Sequence, residues 1–224
     1  SRGCVNTLNP SLGPTGTTLR DWSGLKNDGI LTGGPAYLMS AGRYCVSLDG
    51  VDDYVDLGSN VIISDQITVC AFVNIAASRM TLLGYTAADA NNKTHNVGTT
   101  GARVPYFQWS LAGNTYFQVS GGSALQAGRW YHLAFTRNGS SASIFVDGLD
   151  VTPTLSGASA AALQPNTTTK TIGRTLTIYS GGAFTDYRIY RRSLTQNEIK
   201  LLASRPGIAN ELAPRRRSSV AIAA

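Results

Sequence analysis

The sequence predicts an all-β protein, folded as two packed antiparallel sheets with one short helix near its C-terminal end. Three observations predict it. Apolar and polar residues alternate over many short runs, the two-residue period of a half-buried strand. Gly, Asn and Asp clusters punctuate nearly every gap between those runs. In "SIFVDGLDVT" the pair Asp147-Gly148 stands between β-prone residues, where a type I′ hairpin turn needs φ > 0 at both central positions. The chain has 224 residues, 24 of them Gly, and only 14% are charged. Sandwiches and barrels reach about 200–250 residues as one domain, so a single large β domain accommodates it.

Taken in order, the chain through Gly34 is poor in periodicity and rich in Gly, Asn, Pro and Thr, so loop with one edge strand is expected there. From Tyr44 the alternation is clear, with Tyr44, Val46 and Leu48 on one face and Cys45 and Ser47 on the other. Asp49-Gly50 then turns the chain before Tyr54 and Val55 return into a sheet. "QITVCAFVNI" places Ile67, Val69, Ala71 and Val73 opposite Thr68, Cys70, Phe72 and Asn74. Further strands read at "MTLLGYT", "VPYFQWSLA", "TYFQVSG", "WYHLAFTRN", "SASIFVDG", "KTIGRT" and "AFTDYRIYR". About ten such strands require two sheets to bury their apolar faces. Val46, Leu48, Val69, Leu133, Ile144 and Val146 are the expected core.

The helix is read over Leu194–Ser204. Thr195 with Glu198 three residues on makes a capping box, and Pro206-Gly207 stops the run. Leu194, Ile199, Leu202 and Leu201 form its apolar stripe, which plugs one side of the sandwich. Residues 1–206 are therefore assigned to the sandwich and its irregular start (1–40), and 207–224 to a basic and apolar tail.

Composition bounds the partners. Arg188, Arg191, Arg192, Arg215, Arg216 and Arg217 equal the whole net charge of +6. The remainder is balanced, and no nucleic-acid module accompanies these arginines, so nucleic acid is not an expected partner. No stretch approaches the roughly 18 consecutive apolar residues of a membrane span. "SRGCVNTLNP" has neither a signal-peptide progression nor a Met, which leads us to expect a chain processed or cut from something longer. Cys4, Cys45 and Cys70 lack metal-type spacing, and allow either one disulfide with a free thiol or three buried thiols. The sequons at Asn92, Asn138 and Asn166 arise often by chance in a Ser/Thr-rich chain.

Four phrases between Asp21 and Ala203 stand out together: "DWSGLKNDGIL", "VSLDGVDDYVDLG", "AGRWYHLAFTRNGSSASIFVDG" and "FTDYRIYRRSLTQNEI". On these the sequence resembles the laminin-G-like, concanavalin-A-like jelly-roll family of bacterial and phage proteins. It departs from the family pattern at Tyr187, where an acidic residue commonly follows the Asp. The resemblance implies a jelly-roll sandwich. It also implies a structural Ca²⁺, with Asp21, Asp28 and Asp186 at the matched positions. The alternative is turn-forming aspartates without metal.

Catalysis finds little support. Glycoside hydrolysis needs two carboxylates about 5–10 Å apart, but Glu198 belongs to the capping box and Glu211 to the tail, and most Asp residues stand in turn contexts. There is no Gly-x-Ser-x-Gly elbow. His95 reads as part of a polar loop and His132 as a strand histidine with its hydrogen bonds satisfied. The expectation is a protein that is not an enzyme.

Two binding readings remain. In the first, the chain is a non-catalytic structural or adhesion subunit of a larger extracellular or virion-surface assembly, of surface or decoration type. Its tail would then dock on neighbouring subunits, with "SSVAIAA" adding as a strand through Val220 and Ile222. Arg215, Arg216 and Arg217 would pair with acidic groups there. The alternative is a lectin-like module for surface glycans, free or cut from a larger enzyme or adhesin. Sugar rings stack on exposed aromatics and are oriented by amides and hydroxyls. The candidates are Tyr106, Gln108, Trp109, Tyr116 and Gln118. Alternation puts Tyr106 and Gln108 on one face and Phe107 and Trp109 on the other, so one set is core.

Overall fold

The computed structural model describes residues 3–10, 16–40, 42–61, 65–76, 78–86, 95–110, 116–153 and 168–205. The tail contacts expected at Arg215, Arg216, Arg217, Val220 and Ile222 lie outside the described residues. Strands β1 (Cys4–Leu8), β2 (Thr18–Leu19), β3 (Gly29–Thr32) and β4 (Ala36–Ser40) come first. They are followed by β5 (Arg43–Asp49), β6 (Tyr54–Gly58), β7 (Gln66–Ile75) and β8 (Thr81–Tyr85). Next come β9 (His95–Thr99), β10 (Pro105–Ser110), β11 (Tyr116–Ser120), β12 (Trp130–Asn138), β13 (Ser141–Val146) and β14 (Leu149–Asp150). The chain closes with β15 (Lys170–Ile172), β16 (Arg174–Thr175), β17 (Ile178–Tyr179), β18 (Gly181–Tyr190) and the helix α1 (Gln196–Ser204). No helix among the described residues is long and apolar enough to cross a membrane.

The two expected sheets are present. The first runs β14-β13-β12-β7-β18-β5-β4, with β1 also on β18; the second runs β11-β10-β9-β8-β15-β6-β3-β2. Val46, Leu48, Val69, Leu133 and Ile144 of the first sheet meet Val55, Val97, Phe107 and Ile172 of the second in one core. Each such side chain contributes about 1.5–3 kcal/mol by leaving water. Val146 is only partly buried, because it is the last residue of β13 beside the Asp147 turn.

The two Asp-Gly corners differ. Asp147 (φ 51°) and Gly148 (φ 79°) both lie in the left-handed region and turn β13 back into β14, with Val146 paired to Leu149; the β12–β13 hairpin turns earlier, between Asn138 and Ser141. At the other corner only Gly50 has positive φ, and the chain leaves β5 in the first sheet for β6 in the second. That Asp-Gly pair is a crossing between sheets.

The N-terminal segment departs from expectation. β1 is buried along its whole length and hydrogen-bonds to Tyr187–Tyr190 of β18, while β5 occupies the same side of β18 at Gly181–Phe184. Polar Asn6 and Thr7 break the alternation there, and both are buried with partners among the described residues, although Asn6 Oδ1 has none. Asn6 Nδ2 donates to Asn27 O at 2.6 Å, and Thr7 Oγ1 lies 3.0 Å from Cys4 Sγ. His95, expected in a loop, opens β9.

The helix begins as read, with Thr195 as N-cap and Glu198 completing the box. It lies on the outer face of the first sheet, where Leu194, Ile199 and Leu202 cover Cys4, Cys70, Ala134, Phe145 and Tyr190. A nine-residue helix is marginal alone, so this packing holds it. Leu201 is not part of the stripe; it is 44% exposed. All three cysteines are free and buried.

Candidate functional site

The aromatic set expected to face a ligand divides across the second sheet. Trp109 is core: it is 1% exposed, stacks edge-on against Phe107 at 3.9 Å, and has the Arg137 guanidinium 4.3 Å above its ring. Alternation then turns Tyr106 and Gln108 to the outer face. There Gln108 sits in register between Asn96 and Gln118, a row of three carboxamides across β9, β10 and β11. Gln118 is exposed and Gln108 half-buried. Tyr106, however, is only 8% exposed, and burial pushes its hydroxyl up to about 12. Its OH lies 3.4 Å from Gln108 Oε1. Tyr116 pairs with Ser110 at the start of β11, and its side chain lies outside the described residues. This face has polar groups but no open aromatic among the described side chains.

The loop between β2 and β3 supplies one. Asp21 organises it with both carboxylate oxygens. Oδ1 accepts the N–H groups of Thr7 (2.8 Å) and Ser23 (2.9 Å). Oδ2 accepts the hydroxyl of Ser23 (2.7 Å) and the N–H of Asn27 (2.9 Å). Asp28 Oδ1 takes the N–H of Asp21 at 2.7 Å, and Asn27 Nδ2 donates to Val5 O at 2.8 Å, tying the loop to β1. Held this way, Trp22 stands half in solvent, at 50% exposure, with its own N–H fixed to Thr7 O at 2.9 Å. An open groove of about 440 Å³ runs along it, lined by Thr18, Arg20, Lys26 and Asp28 as well. None of Arg20, Lys26 and Asp28 is in an ion pair among the described residues. The groove therefore offers an aromatic ring with charged donors and an acceptor at its rim. Its sequence signal was an aromatic residue between Asp21 and Ser23 in a mostly polar loop.

The same geometry bears on the choice between calcium and turn-forming aspartates. A carboxylate has about four acceptor positions, and those of Asp21 meet three donors of the loop and the Thr7 N–H of β1. Asp186 is buried against the guanidinium of Arg188, at 2.5 Å, so its counter-cation is already present. Asp21, Asp28 and Asp186 do not form a ligand set and do not fit a Ca²⁺ ion. The described carboxylates that do come together, within 4.8 Å, are Asp49, Asp52 and Asp53. These serve the corner between the sheets: Asp49 Oδ1 accepts Val51 N–H at 2.8 Å and Asp53 Oδ2 accepts Asp49 N–H at 2.9 Å. Burial pushes Asp53 upward and the Val51 hydrogen bond pulls Asp49 downward.

His132 differs from the satisfied strand histidine expected. Its backbone N–H is taken by Asp147 Oδ1 at 2.8 Å, but the ring meets Phe72 edge-on at 4.9 Å and Nδ1 is buried without a hydrogen-bond partner. Burial, with the Arg188 charge adding to it, pushes the imidazole down to about 3. A base that weak is far from the pKa near 7 that suits proton transfer at neutral pH.

Solved structures share this fold at low sequence identity. The binding domain of Paraclostridial Mosquitocidal Protein 1 aligns with a TM-score of 0.70 and 10% identity, over 90% of this chain and 52% of its own. Domain 4 of AbnA is a domain of an extracellular GH43 arabinanase from Geobacillus stearothermophilus, solved with arabinotriose. It aligns with a TM-score of 0.68 and 18% identity, over 89% of this chain and 98% of its own. Trypanosoma rangeli sialidase, in complex with the inhibitor DANA, aligns with a TM-score of 0.63 and 17% identity, over 91% of this chain and 33% of its own. The chain thus spans about half the length of the first and a third of the last. No curated protein sequence matches it significantly. The model of the concanavalin A-like lectin/glucanases superfamily matches residues 49–200, from the corner between the sheets through the closing strand and into α1, and the chain belongs to that superfamily.

Proposed function

We propose that this jelly-roll sandwich is a non-catalytic carbohydrate-binding module that takes a glycan in the groove along Trp22. One observation carries the reading. A half-exposed tryptophan is held on a loop that Asp21 fixes through four hydrogen bonds, beside charged side chains that make no ion pair among the described residues. A sugar presents an apolar ring face and a polar rim, and a preformed aromatic with donors and an acceptor beside it matches both. Fixing the loop before binding removes an ordering cost of about 0.5–1.5 kcal/mol per side chain that a mobile loop would add. An arabinotriose complex in a domain of this fold is consistent with the reading. The partner is then a surface glycan and the setting extracellular. The non-catalytic part rests on the carboxylates: Asp21, Asp28, Asp49 and Asp53 accept backbone N–H groups, and Asp186 is paired with Arg188.

The test is a panel of oligosaccharides that includes arabinotriose, titrated by calorimetry against the native protein and Trp22→Ala. The native protein should bind at least one member, and the variant should bind it at least tenfold more weakly with an unchanged melting temperature. No binding across the panel, or equal binding by the variant, overturns the proposal. Release of reducing ends from any bound glycan overturns its non-catalytic part.

A further inference from the structure

A second cavity, of about 240 Å³, opens on the outer face of the first sheet. Phe72 and His132 are cross-strand partners on β7 and β12, two residues along from the pair Cys70↔Ala134 that α1 covers. The helix footprint ends before them, and the cavity begins there. Trp130 forms another wall, oriented by the hydrogen bond from its Nε1 to Ser40 Oγ at 3.1 Å. Arg43, next to Ser40 across the β4–β5 turn, closes the rim with its guanidinium carbon 5.8 Å above the Phe72 ring.

The groups lining this cavity are unevenly used. Thr185 donates its hydroxyl to Tyr44 O, and Ser40 accepts from Trp130. Asp147 holds the His132 N–H and has Arg129 at 3.9 Å to offset its charge. Two groups remain. Arg43 makes no ion pair among the described residues, and the imidazole of His132, 3% exposed, makes no hydrogen bond, with Nδ1 buried and unpartnered. A buried polar ring without a partner is costly, and native proteins keep few of them. Nδ1 is enclosed, but Nε2 is not, and a ligand atom in the cavity would partner Nε2. The volume limits what fits: drug-sized ligands occupy about 300–1,000 Å³, so this cavity takes one ring and its substituent.

We propose that the cavity binds a single-ring carboxylate. The ring packs against Phe72 and Trp130, the carboxylate pairs with Arg43, and His132 makes one hydrogen bond to the ligand. This site is separate from the Trp22 groove and does not depend on it. Two sources share the chemistry, a sugar acid and an aromatic acid, and the probes distinguish them.

The full chain is titrated by calorimetry and ligand-observed NMR with glucuronate, benzoate and, as the neutral control, methyl glucoside. At least one of the acids should bind at least tenfold more tightly than methyl glucoside. Tighter glucuronate identifies a sugar-acid site and tighter benzoate an aromatic-acid site. Arg43→Gln, a change at an exposed position, should weaken the bound acid about tenfold, the size expected for losing a charge-assisted hydrogen bond. Its thermal melt should match the native one, and Trp22→Ala should bind the acid unchanged. The proposal is overturned if neither acid binds better than methyl glucoside up to about 10 mM, a limit of roughly 3 kcal/mol. Equal affinity in Arg43→Gln overturns it as well.

Discussion

Gly148, in the turn between β13 and β14, lies against Lys200 of α1 with no room for a side chain: a Cβ on Gly148 would sit 3.1 Å from Lys200 Cα and 3.2 Å from its Cγ. The glycine is thus required twice, by its φ of 79° and by the approach of the helix. Left-handed backbone costs a residue with a Cβ about 1–2 kcal/mol, and the contact adds to it because the nearest atom belongs to the helix backbone. Gly148→Ala should lose about 2 kcal/mol or more in urea unfolding. A loss under about 0.5 kcal/mol would show that α1 shifts away freely.

That contact also shows where sequence reading stops. The Asp-Gly pair, the capping box and the alternation along β7, β12 and β13 are local signals, and each places its element correctly. Which face of β10 is core is not local. Both sets carry an aromatic, and Trp109 goes inward together with Phe107, which meets Phe135 of the first sheet, while Arg137 lies over the Trp109 ring. β1 is hidden for a similar reason, since Asn6 is paid for by Asn27, far along the chain. Asp21 was legible as a residue with a task. Which of two tasks it has, metal ligand or turn former, was not legible, because the donors that meet its oxygens depend on the loop's backbone conformation and on β1. The His132 cavity has no local signal at all, since its rim comes from Ser40 and Arg43, on strands separated from β12 by β7 and β18.

Asp21→Asn should weaken the loop without breaking the sandwich. One acceptor oxygen becomes a donor facing N–H or O–H groups, so two of the four hydrogen bonds are lost. At about 0.5–1.5 kcal/mol each, the expected destabilisation is about 2 kcal/mol. Glycan affinity should fall as well, although Trp22 is unchanged. Asp28→Asn, which keeps an acceptor oxygen for Asp21 N–H, should leave stability unchanged.

His132 sets an acid limit on stability. Unfolded, the imidazole titrates near its usual value of about 6.5; folded, burial and Arg188 hold it down to about 3. Between those values the unfolded chain takes up a proton that the folded one excludes, so stability falls as pH drops from about 6.5 toward 3. His132→Phe removes both the titration and an unpartnered buried nitrogen. Melting curves should show it at least as stable as native at pH 7, with the gap widening at pH 5. A constant gap between pH 7 and pH 5 would count against this.

The cap of α1 separates a hydrogen bond from an ion pair. The hydrogen bond from Arg192, burial working against it, leaves Glu198 held down to about 2, with help from Thr195. Because that value lies below the unfolded one, the stabilisation is present above about pH 4.5 and fades as pH falls toward 2. Both side chains of the ion pair are about a third exposed or more, so solvent screens it. Glu198→Gln preserves the box and should cost under about 1 kcal/mol at pH 7. Thr195→Ala removes the N-cap oxygen and should cost about 1 kcal/mol at every pH. Urea unfolding at pH 7 and pH 3 reads the difference: the Glu198→Gln penalty should shrink in acid and the Thr195→Ala penalty should persist.

Asp186 and Arg188 make the strongest case for a charge pair that holds the fold. β18 pairs with β5 over Gly181–Phe184 and with β1 over Tyr187–Tyr190, and its pairing with β7 is irregular between Thr185 and Arg188. Asp186 occupies that irregular step with φ 54°, a conformation that Asp and Asn tolerate better than other residues with a Cβ. Its carboxylate and the Arg188 guanidinium are 5% and 2% exposed. Removing one partner of such a pair typically costs about 3–5 kcal/mol, because the other is left charged and buried. Arg188→Met should therefore cost about that much. Asp186→Asn retains the backbone preference and removes only the charge, so combining it with Arg188→Met should recover part of the loss. A double-mutant cycle in urea tests this: additive penalties would mean that the pair is not coupled. Since Arg188 already supplies the positive charge beside Asp186 and the oxygens of Asp21 are filled, Ca²⁺ or EDTA should leave the melting temperature of the native protein unchanged. A rise with Ca²⁺ that Asp186→Asn abolishes would restore the metal reading of this strand.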